Sequence, residues 1–313
     1  MSAAHKTELI ADFQAAFEKI RFHHPRTVRL HHEFEIMRKI ARKTRFKMQR
    51  ALPVIGPSSS GKSCAVDLYM KGLSIPEYDG EIGVRPVIYV ELQPKSTPRR
   101  LYSDILRTFE GEKSKAGTEA DMRERMYRYL IEARVELLII DEFHHLIHRE
   151  DKAPQYSVAA SCKQLLNEGI CAMAVLGLKR VEVITKDPEF ASRTRPPIQF
   201  DPLNPLKTKD RQLFIGYIDE LDEHLVSAGI TGRKSNLAKP EICACLQDVS
   251  SGTIGHVSNL VRFAISGMVE REDDIITEDD LTLAVEEWAI PMGVCGRNAF
   301  VEGISSRSLE PIG

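Results

Sequence analysis

Much is missing from this 313-residue chain, and each absence excludes a class of protein. The cysteines are Cys64, Cys162, Cys171, Cys243, Cys245 and Cys295, with no C-x-x-C pair among them. That argues against a paired-thiol zinc or redox motif, and several lie inside apolar runs, as small core residues of a reducing compartment would. No apolar run approaches the ~20 residues needed to span a bilayer, so no membrane partner is expected. The opening MSAAHKTELIADF is amphipathic and has no apolar h-region, so no secretory signal is expected and the expected location is cytoplasmic. No internal repeat is present. Net charge is also scarce, at −2, which gives no global reason to expect a polyanionic partner. Locally the charge is uneven. Residues 37–50 carry Arg38, Lys39, Arg42, Lys43, Arg45, Lys47 and Arg50 with no acid, whereas 270–287 is acid-rich. The basic run reads either as a solvated helix face or as a surface for a nucleic-acid backbone.

Against that background one stretch stands out: Gly56-Pro57-Ser58-Ser59-Ser60-Gly61-Lys62-Ser63. Two glycines bracket four residues and Lys-Ser follows, the P-loop spacing. Ala51 to Ile55 before it is apolar, as a buried strand would be, and Cys64 to Lys71 after it suits a helix. In such a loop successive backbone N–H groups turn inward as an anion nest and the helix N-terminus adds partial positive charge. ATP is the expected ligand, held by Gly56 to Cys64. Lys62 would reach the β- and γ-phosphates and the Ser63 hydroxyl would ligate Mg²⁺.

Helices are expected over 5–21 and 28–44, ahead of a core in which strands and helices alternate. The strands are 51–55, 87–92, 135–142, 172–176 and 198–200; helices occupy 99–110, about 118–134 and 155–168. Thr118-Glu119-Ala120-Asp121 has a capping residue and acids in the first turn. Strands apolar throughout and spaced by helices predict a parallel sheet covered on both faces, a three-layer α/β P-loop NTPase core. From about Lys209 only helical patterns follow, roughly 209–227, 239–248, 255–270 and 277–288, a small all-helical lid domain. The expected division is an N-terminal helical extension over 1–50, the core over 51–207, the lid over 208–290 and a mobile tail over 291–313, with Val294, Phe300 and Val301 available to a partner.

The run Leu137-Leu138-Ile139-Ile140-Asp141-Glu142 is the complement that a P-loop requires. An acid ending a buried strand holds Mg²⁺, here Asp141, and Glu142 would polarise the attacking water as general base. His144, His145 and His148 follow. His144 and His148 have the spacing of a metal pair on a helix, but no further ligand pair is evident, and polar neighbours of the site strand suits them better. Arg193 and Arg195 precede the last core strand. They are either a surface pair or arginines that reach the γ-phosphate of a neighbouring subunit. Gly255 opens a lid helix in which no arginine occurs before Arg262, so a nucleotide-sensing arginine is absent or altered there.

Together these residues resemble an AAA+ ATPase, and more narrowly the TniB/TnsC type of transposition ATPase, relatives of phage Mu's target-DNA-binding protein. The resemblance rests on His24-Pro25, GPSSSGKS, Val90-Glu91-Leu92-Gln93-Pro94, Pro98-Arg99-Arg100-Leu101-Tyr102, LLIIDEFHHL, Ser192-Arg193 and SSGTIGHVSNLVRFAI. It implies a homo-oligomeric ring or filament on duplex DNA when ATP is bound. It further implies recruitment of a DDE transposase and disassembly on hydrolysis, and it allows a TniQ-like targeting protein as a second partner. Sequence-neutral DNA contacts would then fall to Lys95, Arg99 and Arg100, after the 87–92 strand. Two other readings stand beside it. One is a STAND-like nucleotide switch in signalling or defence that does not touch DNA, for which no sensor domain is expected beyond about 290. The other is a scaffold whose nucleotide only orders the fold, which Lys62, Asp141 and Glu142 argue against.

Overall fold

The computed structural model describes residues 1–22, 24–74, 83–94, 96–146, 152–182 and 188–305. The chain divides into two compact units: Pro25–Ser58 with Lys62–Phe200, and Met1–His24 with Ser59–Gly61 and Asp201–Gly313.

The first unit is built on a parallel five-stranded sheet, order β2-β3-β4-β1-β5. The strands are β1 (Ala51–Ile55), β2 (Val87–Glu91), β3 (Leu137–Asp141), β4 (Ala172–Gly177) and β5 (Ile198–Gln199). Alternate side chains of each central strand enter opposite cores. Leu52, Val54, Leu137, Ile139, Ala172, Ala174 and Leu176 pack with Leu30, Phe34, Met37, Val66 and Tyr69. These belong to helices α2 (Pro25–Lys43) and α3 (Lys62–Lys71). On the other face Leu138, Ile140, Met173 and Val175 meet Leu101, Ile105, Met122, Met126, Leu130 and Leu166. Those side chains come from α4 (Pro98–Glu110), α5 (Glu119–Glu132) and α6 (Lys152–Glu168). Continuous apolar strands are thus explained, because both faces are covered and no position is left for a polar residue until the strand ends. The capping box expected at α5 is present: Asp121 N–H donates to Thr118 Oγ1 at 3.2 Å and Thr118 N–H to Asp121 Oδ2 at 2.8 Å.

The second unit is helical. Helices Thr208–Ser227, Pro240–Ser250, Ile254–Glu270 and Glu278–Ala284 enclose a core of Phe214, Ile218, Leu221, Leu246, Leu260, Val261, Ile265, Met268 and Leu281. α1 (Ala3–Phe17) joins it through Phe17, Phe13, Ile10 and Leu9. The segment 1–50 is therefore not one extension. Its first helix belongs to the helical unit and its second to the sheet, because each has an apolar stripe that only one of those cores covers. The acid-rich stretch finds cations in this unit: the N-terminal ammonium lies 2.6 Å from Glu272, and Lys6 Nζ donates to the Glu270 carbonyl at 2.7 Å.

The expected mobile tail is docked as far as Ser305. Val294, Cys295 and Phe300 pack on the helical core and Ala299 is buried, so Val294 and Phe300 are spent within the chain while Val301 stays exposed. Arg297 Nη2 pairs with Asp248 at 3.0 Å, and Asn298 Nδ2 donates to the Thr282 carbonyl at 3.1 Å. Residues 306–313 lie outside the described residues. Of the cysteines, Cys162, Cys171 and Cys243 are buried as expected, and burial pushes the first two thiols up to about 12. Cys64 is exposed, on the first turn of α3, and is no core residue.

Two glycines give a paired stability test. Gly169 closes α6 at φ +68°, and a Cβ there would fall on the backbone of Lys47. Gly216, within the helix Thr208–Ser227, has open space around its would-be Cβ. Thermal unfolding of Gly169→Ala should show a loss of about 2 kcal/mol or more, from strain and clash together. Gly216→Ala should instead gain about 0.5–1 kcal/mol.

Candidate functional site

The C-terminal ends of β1 and β3 bring the two sequence motifs together. Gly56 N–H donates to the Gly177 carbonyl at 3.1 Å, continuing the β1–β4 ladder for one residue before the chain turns away. Ser59 and Gly61 then adopt left-handed backbone, φ 58° and 89°. This alternation of hand lets successive amides converge on one point. The turn delivers Lys62 as the first residue of α3. Its ammonium is largely buried and donates to the carbonyls of Gly56 and Pro57 at 2.8 and 2.7 Å. Burial lowers its pKa, while Asp141 and Glu142 act to raise it.

Asp141, at the end of β3, is 1% exposed. Its carboxylate accepts three hydrogen bonds: Ser63 Oγ to Oδ2 at 2.7 Å, Tyr89 OH to Oδ2 at 3.1 Å, and Glu142 N–H to Oδ1 at 2.7 Å. A buried charge is tolerable when its lone pairs are occupied in this way. Tyr89 was not singled out by sequence. The β2–β3 register sets it opposite Ile139, so it reaches Asp141 diagonally across the ladder. Burial, with the Asp141 charge, raises the Tyr89 pKa and keeps that hydroxyl a donor.

Glu142 leaves the strand at φ 53°, a left-handed conformation that costs a non-glycine residue of order 1 kcal/mol or more. The 3₁₀ turn Phe143–Leu146 follows, anchored by the fully buried Phe143 and closed by His145 N–H on the Glu142 carbonyl at 2.8 Å. Glu142 Oε2 lies 3.1 Å from His144 Nε2 and 3.7 Å from His145 Nε2. Burial, and next the Asp141 charge, push the Glu142 carboxyl above its ordinary range. Burial, with Arg180, holds the His144 imidazole down to about 4. His148 lies outside the described residues.

The remaining predicted residues stand apart from this cluster. Arg193 and Arg195 bracket the first residue of β1, at its end opposite the loop: Ala51 N–H donates to the Arg193 carbonyl and Arg195 N–H to the Ala51 carbonyl, both at 2.8 Å. Arg195 Nη2 is 2.6 Å from Glu33 Oε2, and Arg193 Nε donates to Asn167 Oδ1 at 2.7 Å. Neither addresses the Lys62–Asp141 cluster of its own chain. Arg99 and Arg100 open α4 and are exposed, yet both are engaged. Arg99 donates to the Gly117 and Lys115 carbonyls at 2.9 and 3.2 Å, and Arg100 Nε lies 3.1 Å from Asp104 Oδ2. Lys95 lies outside the described residues. Of the basic run, Arg38 is taken up by Glu136 at 2.9 Å and Glu35 at 2.7 Å, and Arg42 lies 3.2 Å from Glu136. In the helical unit Arg262 pairs with Glu18 at 2.7 Å.

The family model described as "Bacterial TniB protein" matches residues 16–200, more than half of the chain and all of the sheet. The chain belongs to the TniB family. The match ends at Phe200, where the sheet of this TniB family member also ends. Solved structures share its fold at low identity. The Aeropyrum pernix ORC2 protein, in ADPNP-ADP complexes, aligns with TM-score 0.57 at 13% identity over 82% of this chain and 67% of that one. Aeropyrum pernix ORC1 in complex with DNA gives 0.57 at 15% identity over 86% and 66%. Cdc6p from Pyrobaculum aerophilum gives 0.55 at 12% identity over 87% and 70%. These place the TniB chain in the AAA+ P-loop NTPase fold. No curated protein sequence matches it.

The buried His144 makes acid stability a probe of the site. An unfolded imidazole titrates near 6.5 and the folded one near 4, so between these values the unfolded chain binds a proton that the fold refuses. Stability should therefore fall as pH drops through that window. A His144→Gln variant should show a shallower decline when melting temperature is measured against pH.

Proposed function

We propose that this chain is a Mg·ATP-dependent ATPase of the TniB/TnsC type that assembles on duplex DNA and marks it as a transposition target. The observation that carries the reading is the Ser63 hydroxyl on the Asp141 carboxylate, with Lys62 next to Ser63 at the start of α3 and Glu142 immediately beyond Asp141. Ser63 and Asp141 offer hard oxygen donors side by side, the chemistry Mg²⁺ requires, and would hold it. When bound, the ion neutralises charge on the β- and γ-phosphate oxygens. The loop amides of Gly56 to Cys64 cradle the phosphates, and Lys62 exchanges its two loop carbonyls for phosphate oxygens. Glu142 orients the attacking water and takes its proton, a role to which its raised pKa is suited. Arg193 or Arg195 completes the site of a neighbouring copy, since both lie at the end of β1 opposite the loop. For Arg195 this means leaving Glu33.

ATP then holds an oligomer on DNA, a DDE transposase and a TniQ-like protein are its partners, and hydrolysis releases it. Proteins with this fold have been solved with ADPNP and ADP and with DNA, which supports both ligands. The setting is cytoplasmic. No described helix is long and apolar enough to cross a membrane. A switch that does not touch DNA keeps one observation in its favour: the guanidinium groups of Arg99 and Arg100 are bonded within the chain.

Under excess ATP, Glu142→Gln should bind nucleotide normally, hydrolyse at least about 100-fold more slowly and stay on DNA. Lys62→Ala should lose nucleotide-dependent assembly. Equal DNA release by wild type and Glu142→Gln would contradict hydrolysis-driven disassembly. Replacing Lys95 and Arg99 with Ala should weaken duplex binding and reduce the slope of log K against log salt by up to ~2, about 0.9 per lost phosphate contact. An unchanged slope would remove these residues from the DNA face and favour the second reading.

A further inference from the structure

We propose that Glu142, His144 and His145 form an inhibitory site for a borderline divalent cation such as Zn²⁺, whose binding stops hydrolysis by occupying the Glu142 carboxylate. Among the described residues this is a cluster of three metal-ligating side chains whose donor atoms all lie within 4.8 Å of one another. Both imidazoles present Nε2 to the same oxygen, at 3.1 and 3.7 Å. A tetrahedral zinc with bonds of about 2.0–2.1 Å sets ligand–ligand edges of roughly 3.3 Å, which those two distances bracket. The rings are 4.5 Å apart and tilted by 38°, and a donor atom of each lies within 4.8 Å of the other.

The cluster is held from behind. Phe143 is fully buried and the backbone turn is hydrogen-bonded, so the three ligands do not have to be gathered from separate elements. Nδ1 of His144 is buried with no hydrogen-bond partner, leaving Nε2 as the ring nitrogen that makes a polar contact. The side chains of Glu142 and His145 are 35% and 28% exposed, which leaves a route for an ion to enter.

Ligand chemistry separates this site from the one at Ser63 and Asp141. Mg²⁺ takes oxygen donors and loses its water reluctantly, whereas imidazole suits Zn²⁺, Ni²⁺ and Cu²⁺. Two nitrogens and one carboxylate oxygen leave the fourth zinc position to water. A carboxylate bound to such an ion no longer accepts a proton from the attacking water. The inhibitory consequence rests on the reading of Glu142 as general base; the site itself does not.

The test uses the full chain and Zn²⁺ alone. Calorimetric titration without nucleotide should show one zinc equivalent that weakens at least about tenfold in His145→Ala and in His145→Gln, both checked for unchanged melting temperature. In a Mg·ATP hydrolysis assay the same ion should inhibit wild type, reversibly with a zinc-selective chelator. His145→Ala should escape inhibition, its rate with zinc matching that variant's own rate without it. Zinc binding that is absent, or unchanged in both His145 variants, would overturn the site and leave only Glu–His hydrogen bonds, with the reading of Glu142 intact. Binding that depends on His145 without inhibition would overturn the inhibitory role and count against Glu142 as the base.

Discussion

The buried carboxylate of Asp141 ties the start of α3, the strand β2 and the residue after β3 to one point. Its oxygens accept from Ser63 at the start of α3, from Tyr89 on β2 and from the amide of Glu142. An ionised group that is 1% exposed would be costly without such partners. The consequence is positional: the loop, the neighbouring strand and the residue that carries the next carboxylate are all indexed to one side chain. Every step proposed for the site is measured from it.

The central sheet was legible because burial on both faces leaves a plain signature. Runs such as Leu137–Ile140 and Met173–Leu176 contain no polar residue, and the spacing of Gly56, Gly61 and Lys62 names the loop that follows β1. What the sequence did not disclose depends on register and on contacts between distant segments. Tyr89 serves Asp141 only because β2 and β3 align Tyr89 with Ile139, and no periodicity reports that. The turn after β3 is another case. His144 and His148 invite a helical reading at spacing four, but the chain forms a 3₁₀ turn that instead sets His144 and His145 on Glu142.

Charge was the least legible property. The basic run over 37–50 has no acid within it, yet Glu35 lies just before it and Glu136 comes from the edge of β3 to meet Arg38 and Arg42. Arg195 meets Glu33 and Arg262 meets Glu18 in the same manner. In each case an arginine that looks available in the sequence is held by an acid from another element. The pairs differ in depth: Arg38–Glu136 is largely buried, whereas Arg262–Glu18 lies toward the surface, where an ion pair is worth little.

Nucleotide bound beside Lys62 and Asp141 is proposed to govern assembly on DNA. The deciding experiment is electron microscopy of the full chain with duplex DNA, with and without a non-hydrolysable ATP analogue. The expected result is rings or filaments on the DNA only when the analogue is present. DNA-bound assemblies of equal abundance without nucleotide, or none in either condition, would contradict it.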